Sequence, residues 1–267
     1  MRQPVLFFIL WMISLQGMAT DPCYVSAREK LRKITTKQTS LWIVVDLAED
    51  LAETIKDADA ALNNGADAVI FEGRDFAKSD KALGELRKHY PKAILGMNLL
   101  GPDENLHTYA ETFELVRKHN LQIAWTDFSG VDLIKEAKEV SLHDIEAKRP
   151  VNAFYVSGIH MKYSTLLDPQ KPIERSALQA MGWVDGIVIT GPRTGVATDP
   201  ERARRVRKTI GDYPMGAASG VSAENVKSII EYVDFVIVNT SVSDGKRHIV
   251  GEKVRALRKA MGNRLRK

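Results

Sequence analysis

The chain has 267 residues, 44% of them hydrophobic and 27% charged, which is ordinary for a globular protein and long enough for a sizeable core. The formal charge of +4 is mild, and the basic C-terminal stretch from Lys253 to Lys267 carries no interleaved aromatics, so it reads as a solvated helix end and no nucleic-acid partner is expected. Cys23 is the only cysteine, which excludes intrachain disulfides and any multi-cysteine zinc site. The histidines lack a metal-ligand spacing, so neither a metal nor a cofactor is expected.

Residues 1–20 place Arg2 before an apolar run from Val5 to about Leu15, followed by Gly17-Met18-Ala19. That order matches a secretory signal, and the run is short for a membrane span of about 20 residues. A cleaved signal, an uncleaved anchor, an organelle-targeting segment and a misassigned start all stay open. Export or peripheral membrane association through this segment is expected, with a cytoplasmic location as the alternative. Residues 21–40 are polar and basic and read as a linker or leader helix. One domain is expected over 41–267.

From Leu41 a rhythm begins. "LWIVVDL" (41–47) is a buried strand, since β-branched residues run on without polar alternation. Residues 50–65 follow with helical spacing and Gly65 as a stop. The next strands are 66–73, 92–101 and 121–130, with helices at 79–90 and about 104–119. Residues 131–150 hold short helical pieces. Further strands follow at 151–159, 184–191, 213–221 and 234–242. A helix falls near 172–182. Another spans 199–211, with Asp199 as N-cap and Pro200 at its first position. Ser222 is expected to cap a helix over "AENVKSIIEYV", and the last helix begins near Gly251.

Eight strands alternating with helices predict a (β/α)8 barrel. A doubly wound open sheet is the rival, marked by a glycine-rich turn after its first strand. Here the first strand ends in Asp46-Leu47-Ala48-Glu49, and the glycine-rich turns follow strands six to eight. A barrel places phosphate on the loops after strands seven and eight.

Barrel function lies at the C-terminal strand ends, which here carry Asp46, Glu72, Asn98, Asp127, Ser157 with His160 and Lys162, Thr190 and Gly191 with Arg193 and Thr194, Ser219, and Asn239 to Ser241. Gly220 lets backbone N–H groups approach an anion, and a helix starting at Ala223 would point its positive end at the same place. Ser219, Ser222, Thr240 and Ser241 add hydroxyl donors, so these residues and Gly220 are the expected phosphate site. The competing reading is a tight turn with a plain N-cap. Glu72, Asp127 and Lys162 are the candidate catalytic groups, with His160 as a further acid or base. Structural ion pairing of Glu72 with Arg74 or Lys162, and a divalent metal on Asp46, Glu72 and Asp127, are the alternatives.

The segments "GADAVIFEG", "GMNLLGPDEN", "GIHMKYSTLL", "DGIVITGPRTGVATDPERARRVRK", "AASGVSAENV" and "DFVIVNTSVSDGKR" resemble the BtpA/SgcQ family in content and order. More loosely, the chain is similar to phosphate-binding barrels of the phosphoribosylanthranilate isomerase type. The family resemblance implies a TIM-type barrel. It also implies matched motif positions at Glu72, Asn98, Lys162, Thr190, Gly191, Thr194, Gly195, Ser219, Gly220, Asn225, Thr240, Ser241, Asp244 and Gly245. One family member is associated with photosystem I biogenesis at the thylakoid membrane, and others sit near sugar-utilisation functions. The chain departs from the family pattern at Asp46, Gly73, Asn239 and Ser243, and in "MKYS". The expected function is binding of a small phosphorylated ligand, with isomerase or lyase chemistry. The alternatives are a non-catalytic factor in membrane-complex biogenesis and a metal-assisted hydrolase. The oligomeric state is open, a homo-oligomer included.

Overall fold

The computed structural model describes residues 22–100, 109–132 and 142–262. The first strand, β1 (Ser40–Asp46), is buried along nearly its whole length, because it is covered on both faces. Its side chains alternate with period two. Trp42 and Val44 enter one apolar cluster, while Leu41, Ile43 and Val45 enter another. The same split recurs in β2 (Ala68–Gly73), β4 (Ile123–Thr126), β5 (Phe154–Gly158) and β8 (Phe235–Val238). With β3 (Leu95–Leu99), β6 (Gly186–Thr190) and β7 (Met215–Ala218), these strands pair in parallel and in sequence order to close a barrel. One cluster fills its interior, and the other lies between strands and helices.

Most of the outer helices follow the predicted rhythm. They are α2 (Leu51–Leu62), α3 (Phe76–His89), α4 (Tyr109–Lys118), α5 (Leu142–Lys148), α6 (Ile173–Ala180), α7 (Pro200–Ile210) and α8 (Gly251–Met261). Asp199 caps α7 by accepting from the Glu201 N–H at 3.0 Å, with Pro200 at the first position.

One element differs from expectation. No α-helix follows β7, where a single 3-10 turn spans Val226–Ser228. The Asn225 side chain accepts from the Ser222 N–H at 2.9 Å and donates to the Gly220 carbonyl at 2.7 Å, which fixes a local turn in place of a helix start. Segment 21–40, expected as linker or leader helix, contains α1 (Pro22–Ile34), which is part of the barrel's packing. Its Leu31 and Ile34 join Trp42, Phe154 and Phe235 in the interior cluster. Trp42 stacks on Phe235 with ring centroids 4.2 Å apart, and Phe154 meets both edge-on. Burying such side chains contributes about 1.5–3 kcal/mol each. Residues 1–20, the apolar leader of the sequence, lie outside the described residues. Among those described, no helix is long and apolar enough to cross a membrane.

The N-terminal end of the barrel is fastened by a repeated clasp. Asp67, Asp185 and Asp234 each precede an even-numbered strand and accept a backbone N–H from the start of the preceding odd strand, from Leu41, Tyr155 and Met215 at 2.8–3.0 Å. Gln122 does the same for Leu95 at 3.1 Å. Each acceptor is also held by an arginine from the segment after an even-numbered strand: Arg258 after β8, Arg149 after β4, Arg207 after β6 and Arg87 after β2, respectively. Lys30 and Arg28 of α1 join Asp185 and Asp234, which docks the helix against the same floor.

Candidate functional site

Continuing the inward alternation two residues past the last interior apolar side chains reaches the opposite end of the barrel. Val44, Ile70, Trp125 and Ile237 lead to Asp46, Glu72, Asp127 and Asn239. Interior position therefore selects the polar rim, by the period of the strand alone. A cavity of about 370 Å³ opens there. Val44, Trp125, Ala218 and Ile237 form its apolar part, and Glu72, Asp127, Lys162, Thr194, Ser219, Gly220, Thr240, Ser241 and Arg247 its polar part.

Lys162 comes from the loop after β5. Its backbone N–H donates to Thr190 Oγ1 at 3.0 Å, which is where the wholly buried Thr190 acts. Its Nζ donates to Thr194 Oγ1 and to Ser219 Oγ, both at 3.1 Å, so one ammonium joins the loops after β5, β6 and β7. Ser219 and Gly220 both hold φ of +65°, a left-handed pair. A Cβ on Gly220 would lie 2.1 Å from the Val196 carbonyl carbon and 2.3 Å from the Ala197 nitrogen. Gly220 is thus required by the backbone of the preceding loop as well as by its own conformation. Gly191 lies under the same loop, where a Cβ would meet the Val196 carbonyl oxygen.

Thr240 and Ser241 stand in a 3-10 turn, Thr240–Val242, after β8. Two buried polar atoms of the cavity residues, Ser241 Oγ and Trp125 Nε1, have no hydrogen-bond partner among the described residues. Ser222 is not among the residues lining the cavity. With the α-helix after β7 missing, the expected helix-end attraction for an anion is missing too. Asn239, at a departure from the family pattern, donates to the Val44 carbonyl at 2.9 Å.

The opposite wall is acidic and is bridged by an arginine that sequence reasoning missed. Asp46 and Glu72 are register partners on β1 and β2. Arg247, from the exposed loop after β8 and with φ of +73°, binds both oxygens of Asp46 and donates to Glu72 Oε1 at 2.9 Å. Burial, against the pull of Arg247 and helped by Asp46 and Asp127, leaves the Glu72 carboxyl raised to about 7. Asn98 is buried and meets the site only through its amide, 3.3 Å from Asp127 Oδ1. Arg247 carries no periodic signal. Its one mark in the sequence is a lone arginine after the glycine turn "SDGK" in the eighth strand-end loop.

His160 does not join the mouth. Its ring lies 3.0 Å from Ser176 Oγ, while its backbone N–H donates to Asp132, which also receives Lys171 at 2.9 Å. Asp132 contacts Ser176 itself and not the second ring nitrogen, so no relay through histidine to serine is assembled. Burial holds the His160 imidazole below its ordinary range. Arg247 occupies the place between Asp46 and Glu72 where a divalent metal was the alternative. Among the described residues, no group of three or more His, Cys, Asp or Glu side chains gathers to hold a metal.

Barrel and site together define a TIM-type (β/α)8 protein with its polar mouth at the C-terminal strand ends. Solved structures share this fold. Phosphoribosyl anthranilate isomerase from Thermus thermophilus is similar with a TM-score of 0.57 and 16% identity, over 82% of this chain and 96% of that one. Tryptophan synthase from Mycobacterium tuberculosis is similar with a TM-score of 0.59 and 16% identity, over 92% and 98%. KDPG aldolase from Legionella pneumophila gives 0.58 and 12%, over 85% and 97%. The BtpA family model matches residues 93–263, and the chain belongs to the BtpA family. Relatives include an uncharacterised protein of Pyrococcus horikoshii, 25% identical over 76% of this chain and 82% of its own. Another, from Methanocaldococcus jannaschii, is 27% identical over 75% and 81%.

Proposed function

We propose that the barrel mouth binds a small phosphorylated metabolite and moves a proton on it, as an isomerase or lyase does. The observation that carries this reading is Lys162, whose ammonium is held by two hydroxyls and no carboxylate in the hydrogen bonds described, on the cavity wall formed by Ser219, Gly220, Thr240 and Ser241. An anion there meets a positive charge and several hydroxyl donors. The buried, unpartnered Ser241 Oγ adds a donor that a phosphate oxygen would satisfy. The name of one similar barrel, phosphoribosyl anthranilate isomerase, supports the same ligand class. The cavity of about 370 Å³ sits at the small end of the range for ligand pockets, which favours a monophosphate over a dinucleotide.

Across the cavity, Glu72 is held near pH 7, where a carboxyl both accepts and returns a proton. Asp127, held by Asn98, is the second carboxylate facing the ligand. Calorimetric titration with inorganic phosphate and with sugar phosphates tests the reading. Lys162→Met is expected to weaken both by about tenfold or more. Absence of binding to the unaltered protein, or equal binding by the variant, would sink it. Gly220→Asp is a poorer probe, because its Cβ collides with the Val196–Ala197 backbone whatever the ligand does.

A further inference from the structure

Arg247 has donors left over. It stands in the loop after β8 with φ of +73°, a conformation that side chains with a Cβ rarely adopt. The loop is held in that shape. Asp244 accepts the Lys246 and His248 N–H groups at 2.8 and 3.2 Å, and Asp57 of α2 accepts the Ile249 N–H at 2.9 Å. A guanidinium is a planar fork of five N–H groups. Nε and one N–H of Nη2 go to Asp46, and the other N–H of Nη2 goes to Glu72 Oε1. Nη1 donates to no described residue. Its N–H groups stay open on a residue that lines the mouth, and one of them runs parallel to the N–H that Glu72 accepts.

Asp46 already matches the charge of Arg247, and Glu72 and Asp127 line the same cavity, so a second anionic group would meet carboxylates there. An uncharged acceptor oxygen satisfies the open donors without that repulsion. We infer that Arg247 binds a carbonyl oxygen of the ligand through Nη1, and that the ligand is a phosphorylated aldehyde or ketone with a C–H bond next to its carbonyl. This rests on the phosphate reading of the mouth. An oxygen on the open N–H is a neighbour of the Glu72 carboxyl along one edge of the guanidinium. The Glu72 carboxylate takes the proton from the adjacent carbon, the C–H pair becomes a C=C bond, and the carbonyl π pair moves to the oxygen. Nη1 holds the enolate oxygen so formed, a fixed cation placed where charge develops. Protonated Glu72 then returns the proton.

The test compares hydroxyacetone phosphate with propyl phosphate, which has CH2 in place of the carbonyl. By calorimetry the unaltered protein is expected to bind the ketone about tenfold tighter. In Arg247→Met the affinity for the ketone should fall to that for propyl phosphate. In D2O the unaltered protein should place deuterium next to the carbonyl, read by NMR, and Glu72→Gln should slow this by about a hundredfold or more. Equal affinities in the unaltered protein overturn the inference alone. So does a preference that survives in Arg247→Met folded by circular dichroism, and so does deuterium uptake that is absent from the unaltered protein or unchanged in Glu72→Gln. Failure of both compounds to bind overturns the phosphate reading and this inference together.

Discussion

Replacing Glu72 by Gln removes one proton site and keeps the shape of the side chain. In the folded protein burial, with the neighbouring carboxylates, pushes Glu72 from its ordinary 4.5 up to about 7, against the pull of Arg247. Below about pH 4.5 the folded and unfolded chains both carry the proton. Between there and about pH 7 the folded chain holds a proton that the unfolded chain has released, so stability falls as pH rises. The fall is about 1.4 kcal/mol per pH unit, roughly 3 kcal/mol over the interval. The side chain is only 14% exposed, so solvent screening trims this modestly, to about 2–3 kcal/mol. The Gln variant lacks the term, and Arg247 stays paired with Asp46 in both proteins. Urea denaturation of both at about pH 5 and about pH 8 should show the variant gaining about 2–3 kcal/mol on the unaltered protein at the higher pH. A stability difference that is the same at both pH values refutes the reasoning, and so does one of opposite sign.

Leu31→Ala on α1 should destabilise by about 3 kcal/mol in denaturant titration, since the leucine is wholly buried in the barrel interior. Gly220→Ala should cost about 2 kcal/mol or more, from left-handed strain and the clash with Val196, read as a fall in thermal midpoint. Asp234→Ala leaves Arg28, Arg207 and the Met215 N–H without their acceptor, and a loss of about 3 kcal/mol is expected by the same titration. His160→Gln should lessen the loss of stability on acidification below about pH 6, because burial keeps the folded imidazole neutral while the unfolded one charges.

The strands were legible because each barrel strand is covered twice, and two-sided burial writes itself as an unbroken apolar run such as "LWIVVDL". The rim residues Glu72 and Asp127 were legible for the same reason, being the first polar inward positions. Three other features were hidden by their chemistry. Helix α1 buries only a narrow face, so "AREKLRK" reads as a polar leader. The segment after β7 has helical spacing, yet one Asn225 side chain diverts its first turn. Arg247 reaches its partners over a sequence gap that no local pattern encodes. His160 sits near a strand end like a rim residue, but its left-handed φ of +44° accompanies a ring turned toward α6.

The clasps on the barrel floor also bear on how the chain comes together during synthesis. Three of them join segments about 30 residues apart, Arg87 to Gln122, Arg149 to Asp185 and Arg207 to Asp234, so each can form as soon as its strand is made. The remaining one joins Arg258 to Asp67 across 191 residues, and it comes from the last described helix. Until that helix leaves the ribosome, Asp67 lacks its arginine, although β1 and β8 are already joined at the floor by the Ser40 N–H to the Asp234 carbonyl, by Thr39 to the Val233 carbonyl and by Arg28 to Asp234. A chain stopped before Arg258 is therefore expected to keep its other three clasps and to hold Asp67 only through Lys37, Ser40 and the Leu41 N–H, a weakened corner that protease protection of stalled chains would reveal.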